Sequence, residues 1–308
     1  MADICADTLS GVASGATLGT VSGAVSTGRI LIGIEAGGGA GTIGLATIDA
    51  QGLHQIQTGR DGTLAHAAWA LDGTITFDSQ RAGGRHLFNI AADGSRLTQV
   101  TSDAGGAEQD VSYSPDGKRI AYEHYSCVEE RDFGIQVASS DGTGEKPLTQ
   151  PFPLRSVAGE KDAAFSPDGA SVAFVRTVDD TQAAVWIVPA TGGTARRLTD
   201  DAVDASYPRW SPDGRLILFT GRPAGADDGL GLWVVAAGGG PSTVLFKHDA
   251  GSLEFEADWS PDGRQVVYKT FRPGWDHNEL GIVAADGTGA RTIWVGHQST
   301  AETPHWGR

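Results

Sequence analysis

Short apolar runs, each bounded by a turn-forming pair, recur along this chain at a nearly constant interval. Around residues 206–246 the pattern is clear. Ser206–Trp210 enters the turn Ser211-Pro212-Asp213-Gly214, in which Pro presets φ and Asp and Gly suit a tight reversal. Arg215–Thr220 carries Leu216, Ile217, Leu218 and Phe219, the continuous apolar run of a strand buried on both faces. A polar loop, 221–229, leads to Leu230–Ala236. The Gly238-Gly239-Gly240 turn then gives way to Ser242–Phe246. The unit predicts four antiparallel strands, and nothing in it has a helical period.

The phrase aromatic-x-x-Asp-Gly marks each copy: Trp69, Tyr113, Phe165, Trp210 and Trp259 open it, and Trp306-Gly307 is a truncated sixth. The spacings are 44, 52, 45, 49 and 47 residues. A period in this range signals an array of supersecondary units. Four-stranded units of this length predict propeller blades. Full units begin near Leu64, Glu108, Glu160, Ala205 and Glu254. Before them Arg29–Glu35, Thr42–Asp49 and Leu53–Thr58 make three strands without an inner one, and Thr303–Trp306 supplies an inner strand without the other three. The expectation is an all-β, six-bladed β-propeller of four-stranded antiparallel blades. The N- and C-terminal strands close it in one blade, which removes the free sheet edge.

Residues 28–308 form this single propeller. Residues 1–27 are rich in Gly, Ala, Ser and Thr, with no Lys or Arg before Arg29. They are expected to be a flexible or loosely packed lead-in. A secretory signal needs a basic start and an apolar core, and this segment has neither.

The aromatic-Ser-Pro-Asp-Gly turn, an apolar strand, an Asp-Gly turn and a Leu-Thr ending (Leu97-Thr98, Leu148-Thr149, Leu198-Thr199) together resemble the WD-like Pro-Asp repeat of the TolB family. The resemblance covers about nine-tenths of the chain. It implies a six-bladed propeller, a periplasmic, cell-envelope or extracellular location, and a binding role. It says little about activity, because propellers host binding proteins, lyases and hydrolases alike.

Charge narrows the partners. Lys and Arg total 23 against 38 Asp and Glu, a net charge of −15, which argues against nucleic acid as a partner. No apolar run reaches the ~18 residues of a membrane span. The expected partner is a protein, a peptide or a small carbohydrate, met by a monomer. Two cysteines, Cys5 and Cys127, allow one disulfide or none.

Several motifs resolve to scaffold. Gly39-Ala40-Gly41-Thr42-Ile43-Gly44 fits the dinucleotide fingerprint but precedes a strand, so no helix N-terminus receives a pyrophosphate. Asp116, Asp168, Asp213 and Asp262 share one turn setting and read as turn acceptors. The repeated aromatics read as inter-blade packing. There is no Gly-x-Ser-x-Gly elbow and no His-Glu-x-x-His.

Function is expected where the repeat breaks. Three residues before each aromatic the copies read His66, Asp110, Asp162, Tyr207, Glu256 and Thr303; one before it they read Ala68, Ser112, Ala164, Arg209, Asp258 and His305. These positions and the loops after each second strand are expected around one channel mouth. Tyr207, Arg209, Glu256, His124, Arg272, Trp275 and His277 are the ligand-binding candidates. Trp275 and His277 lie in the irregular loop Thr270–Asn278, where aromatic side chains can stack on a sugar or peptide. His66, Asp258 and His305 are the candidate ligands for a divalent cation, calcium or manganese, in the channel.

Two functions compete, ahead of a purely structural domain cut from a larger protein. One is a TolB-like binding module. The other is a carbohydrate-active enzyme, since oligogalacturonate lyases resemble this repeat type. A lyase needs a base, His66 or His305, and a metal or an arginine such as Arg209 or Arg272 to neutralise the substrate carboxylate. The charge of −15 disfavours a polyanionic substrate, and six blades depart from the seven usual for that lyase family.

Overall fold

A computed structural model describes residues 20–22, 25, 28–36, 42–56, 64–102, 106–126, 131–150, 152–153, 159–179, 182–200, 202–226, 229–247, 251–296 and 299–307. Cys5, Cys127 and Gly39–Gly41 lie outside the described residues. Every element among them is a strand or turn, and the strands form six antiparallel sheets arranged as a six-bladed propeller.

From the inside out, blade 1 is Ser299–Gly307, Arg29–Ala36, Thr42–Asp49 and Gly52–Ile56. Blade 2 is Leu64–Trp69, Thr74–Ser79, His86–Ala91 and Thr98–Gln99. Blade 3 is Gly106–Tyr113, Arg119–Ser126, Arg131–Ser139 and Lys146–Pro147. Blade 4 is Glu160–Phe165, Ser171–Asp179, Gln182–Pro189 and Arg196–Arg197. Blade 5 is Val203–Trp210, Leu216–Pro223, Gly231–Ala236 and Thr243–Phe246. Blade 6 is Leu253–Trp259, Gln265–Phe271, Glu279–Ala284 and Arg291–Val295.

The apolar runs become strands because both faces of each blade are covered by neighbours. Ile217, Leu218 and Phe219 follow one another and are all fully buried; in register they meet Val235, Val234 and Trp233. Alternation is lost, as in any sheet packed on both sides. The core is accordingly divided into six clusters, one at each blade interface. Ala173, Val185 and Ile187 of blade 4, for example, pack on Val203, Ile217 and Phe219 of blade 5. The cluster joining blades 6 and 1 contains Val267, Leu280 and Ile282 with Ile30, Ile32 and Trp306.

Closure follows the expected route. Arg29–Ala36 pairs antiparallel with Ser299–Gly307, placing Ile30 opposite Trp306. Gly28 has φ +73° and lies against the Gly307 carbonyl and the Trp306 ring, so no side chain fits there. Within the N-terminal segment, Thr20–Val21 adds a fifth strand outside blade 6, opposite Val295 and Trp294, and Val25 is buried in the cluster joining blades 6 and 1.

The Ser-Pro-Asp-Gly turns are scaffold. Asp116, Asp168, Asp213 and Asp262 each accept a hydrogen bond from the turn's own serine hydroxyl and from the amide two residues on. The glycines that follow have φ between +68° and +72°, which glycine adopts without steric cost. One repeat assignment differs from the sequence expectation. Thr149 and Thr199 accept the amides of Ile135 and Val185; the equivalent acceptor in blade 2 is Thr101, not Thr98. Leu97 is exposed and Thr101 buried, so Val100-Thr101 is the true counterpart of the Leu-Thr ending.

Trp306→Ala should cost about 3–5 kcal/mol of unfolding free energy in urea, as for a large aromatic removed from a closed core. A loss below about 1 kcal/mol would mean that the terminal strand does not hold the ring.

Candidate functional site

Each inner strand carries a break in its ladder at the same place. Pairing skips between Ala65 and Ala68, between Ser206 and Arg209, and at equivalent points in the other blades. At each skip one residue is left-handed: His66 (φ +42°), Asp110 (+54°), Asp162 (+58°), Tyr207 (+52°), Glu256 (+47°) and Thr303 (+40°). None is glycine, and such backbone persists only where its surroundings over-determine it. These are the six residues three before the repeated aromatics.

The preceding blade supplies the restraint. The Tyr207 amide donates to Asp162 Oδ2 (3.0 Å) and the Thr303 amide to Glu256 Oε2 (2.9 Å). The Asp162 amide donates to Glu123 Oε1 (2.6 Å) and the Glu256 amide to Thr220 Oγ1 (3.1 Å). A second tier lies one residue before the aromatic. Ser112 Oγ accepts from the Phe165 amide, and Asp258 Oδ2 from the Trp306 amide (2.8 Å). Asp162, Glu256, Ser112 and Asp258 therefore tie neighbouring blades together.

Between this ring and the Ser-Pro turns the channel opens into a cavity of about 400 Å³. Its walls are repeated aromatics and alanines, and its charged groups include His66, Asp110, Asp162, Arg209, Asp258 and His305. Leu71 and the turn prolines Pro115, Pro167, Pro212 and Pro261 line its far end. Most of the positions three and one before the aromatics line this cavity; the loops after the second strands, at the strand-entrance end, do not. There the acids are enclosed: Glu108, Glu160 and Glu254 are buried. Glu108 accepts from Thr101 and pairs with His86, Glu160 holds Arg176, and Glu254 accepts from Thr270.

The cavity is electrically two-sided. On blades 2–4, ligand oxygens of Asp110, Glu123 and Asp162 lie within 4.8 Å of one another. Burial, reinforced by the other carboxylates, raises the Glu123 carboxyl well above its ordinary value. Asp110 is pushed up to about 6, by burial first, with His66 opposing and Asp162 adding to it. His66 bridges Asp78 (Nδ1, 2.9 Å) and Asp110 (Nε2, 3.4 Å). Burial disfavours its charge, but Asp110 and Asp78 outweigh that and push it up to about 10. The Asp162 carboxylate holds the Lys161 ammonium above its usual value. On the other side stand Arg209 and His305. Burial lowers the His305 value and the Arg209 charge lowers it further, with Asp258 opposing, so His305 is neutral at pH 7.

The carboxylate trio is a set of hard oxygen donors that can hold a calcium- or manganese-like cation. Its oxygens already serve protein donors: Glu123 accepts from the Asp162 amide, Gln109 and the Tyr125 hydroxyl. The trio proposed from sequence is divided. His305 Nε2 stands 3.9 Å from Asp258 Oδ2, whereas His66 turns to Asp78 and Asp110. The signal for the alternative set was in the repeat: Asp110 and Asp162 occupy one position in adjacent blades. Only Glu123, on a second strand, needed the fold.

Of the ligand-binding candidates, Arg209 lines the cavity. Tyr207 and Glu256 belong to the left-handed ring, and Glu256 pairs with Lys269 at 2.7 Å. His124 is buried with Nδ1 at 2.7 Å from Glu145. Trp275 packs with His277 (centroids 4.8 Å apart) and lies under Arg272, so this loop is folded on itself, away from the cavity lining.

No protein-family model matches the chain. Over 117 residues, 36% of the chain, it is 37% identical to the protein named Uncharacterized peptidase YuxL of Bacillus subtilis (strain 168), covering 17% of that protein. Over 135 residues, 44% of the chain, it is 30% identical to Uncharacterized protein Atu1656 of Agrobacterium fabrum, covering 42% of it. The chain thus matches less than half the length of either curated relative. Among solved structures, TolB from Acinetobacter baumannii superposes with a TM-score of 0.74 at 21% identity, over 93% of this chain and 68% of that one. An oligogalacturonate lyase in complex with manganese gives 0.60 at 13% identity, over 86% and 73%. A puromycin hydrolase gives 0.60 at 14%, over 91% and 47%. The fold is that of a six-bladed β-propeller of the TolB type, shared with propeller enzymes.

The His66 ring should titrate near pH 10 when followed by NMR. Because its folded value is raised, its contribution to stability is complete below the unfolded value of about 6.5 and disappears as pH rises through about 10. Asp110→Asn, which tolerates the left-handed backbone, should lower that titration. A wild-type titration at or below about 6.5 would contradict the pairing.

Proposed function

We propose that this chain is a TolB-like binding module that receives a peptide, or an extended segment of a protein partner, in the channel cavity beside the Ser-Pro turns. The observation that carries the reading is the cavity itself. It is about 400 Å³, walled by aromatic and small residues with a few convergent charges, the general character of a small-ligand site. The apolar rim of Leu71 and the turn prolines suits a peptide. The likeness to TolB and the partial match to a protein named as a peptidase support that ligand class. A monomer in the cell envelope or outside the cell belongs to this reading.

The carbohydrate-active alternative rests on a specific observation: neutral His305 beside Arg209, with a metal-competent carboxylate trio across the channel. These are the parts of a base, an anion clamp and a cation site. The likeness to a manganese-bound oligogalacturonate lyase supports it.

One pair of assays separates the two. Trp69, Trp210, Trp259 and Trp306 line the cavity, so ligand entry should change intrinsic tryptophan emission. A pooled tripeptide library is expected to give a saturable change, with no new ultraviolet absorbance from pectic oligosaccharides in the presence of manganese. Growth of unsaturated-sugar absorbance without any response to peptides would replace the binding reading by the lyase one.

A further inference from the structure

Arg209 stands one residue before Trp210 on the inner strand of blade 5 and faces the cavity. A guanidinium offers five N–H donors. Here one hydrogen bond forms, from Nη1 to the neighbouring Pro208 carbonyl at 2.9 Å. No carboxylate among the described residues pairs with it, in a chain where acids outnumber bases 38 to 23. Elsewhere in the blades Arg85 pairs with Asp78, Arg176 with Glu160 and Lys269 with Glu256.

The same side of the cavity holds a second unmatched group. His305 Nδ1 is buried and has no hydrogen-bond partner. Asp258, the nearest acid, is 3.9 Å from Nε2. Both Asp258 oxygens already accept backbone amides, Oδ1 from Trp259 and Oδ2 from Trp306. A ring nitrogen buried without a partner, as His305 Nδ1 is, is costly, and the acceptor that satisfies the half-buried Arg209 guanidinium fork best is a carboxylate bound bidentately.

We propose that Arg209 and His305 form a seat for a single carboxylate, the free C-terminus of a short peptide entering past the Ser-Pro turns. This rests on the reading of the cavity as the binding site. Three features choose among carboxylate ligands. Asp110 and Asp162 make the opposite wall acidic, and the whole chain carries −15, so a polyanion such as a polyuronate is repelled. Leu71 at the rim is 58% exposed and is joined there by the turn prolines, which suits apolar side chains. A peptide brings one terminal negative charge, and any amine or basic side chain in it finds Asp110 and Asp162.

The test compares a pooled tripeptide library bearing free C-terminal acids with the same library amidated, titrated by tryptophan emission against wild type, Arg209→Gln and His305→Gln. The acid pool should bind wild type at least about tenfold more tightly than the amide pool, the scale of one charge-assisted contact. Arg209→Gln should remove that difference without lowering the melting temperature, since the guanidinium supports only the Pro208 carbonyl. If that variant is destabilised, His305→Gln provides the same comparison. In wild type the His305 ring should also titrate upward with the acid pool and not with the amide pool. Equal binding of the two pools would overturn the carboxylate seat while leaving the cavity as a peptide site. No binding of either pool would overturn the seat and the peptide reading together.

Discussion

In four of the six blades the inner strand hands the amide of its left-handed residue to the blade before it, and the ring depends on these contacts. Here the break falls at one place in every copy, and at Asp162, Tyr207, Glu256 and Thr303 the misplaced amide is met by a side chain of the neighbouring blade. Asp162 receives Tyr207, and Glu256 receives Thr303, at about hydrogen-bond length. The restraint is local but its effect is global, since each blade fixes the next. The apolar clusters at the six interfaces supply the bulk of the burial. The polar ring joins neighbouring blades beside the channel.

That arrangement changes the meaning of sequence divergence. Positions three and one before the aromatic vary from copy to copy, which in a regular scaffold points to function. A third of that signal is structural. Asp162, Glu256, Ser112 and Asp258 differ from their equivalents, yet each accepts a backbone amide from the next blade. Beside that role, and with Asp162 serving in both, stand Arg209 and His305 on one side and the Asp110–Glu123–Asp162 group with His66 on the other.

The blade count, the strand order and the closure by both termini were legible in the sequence. They rest on period, turn chemistry and burial, which act over a few residues at a time. The turn role of Asp116, Asp168, Asp213 and Asp262 was legible for the same reason. The Leu97-Thr98 ending was misleading because two Thr residues lie three apart and only burial tells which one caps the third strand. The place of the cavity beside the Ser-Pro turns was not legible. Nor was the enclosure of the strand-entrance acids by Thr101, Arg176 and Thr270, contacts between residues up to 16 positions apart in the chain. Glu123 joined the acidic group for a similar reason: its strand is second in the blade, and only pairing brings it beside Asp110 and Asp162.

A channel that is acidic on one wall and carries an unmatched arginine on the other is poorly described by the net charge of the chain. In the proposed peptide reading it distinguishes the two ends of the ligand. The central claim is that ligands enter at the Ser-Pro turns. Its most direct test is a bulky maleimide label placed by Leu71→Cys at the rim or by Trp275→Cys on the opposite loop, with Cys5 and Cys127 replaced by serine. The label at position 71 should abolish the tryptophan response to the tripeptide pool, and the label at position 275 should leave it unchanged. The reverse pattern would place the entrance at the strand-entrance face and contradict the account.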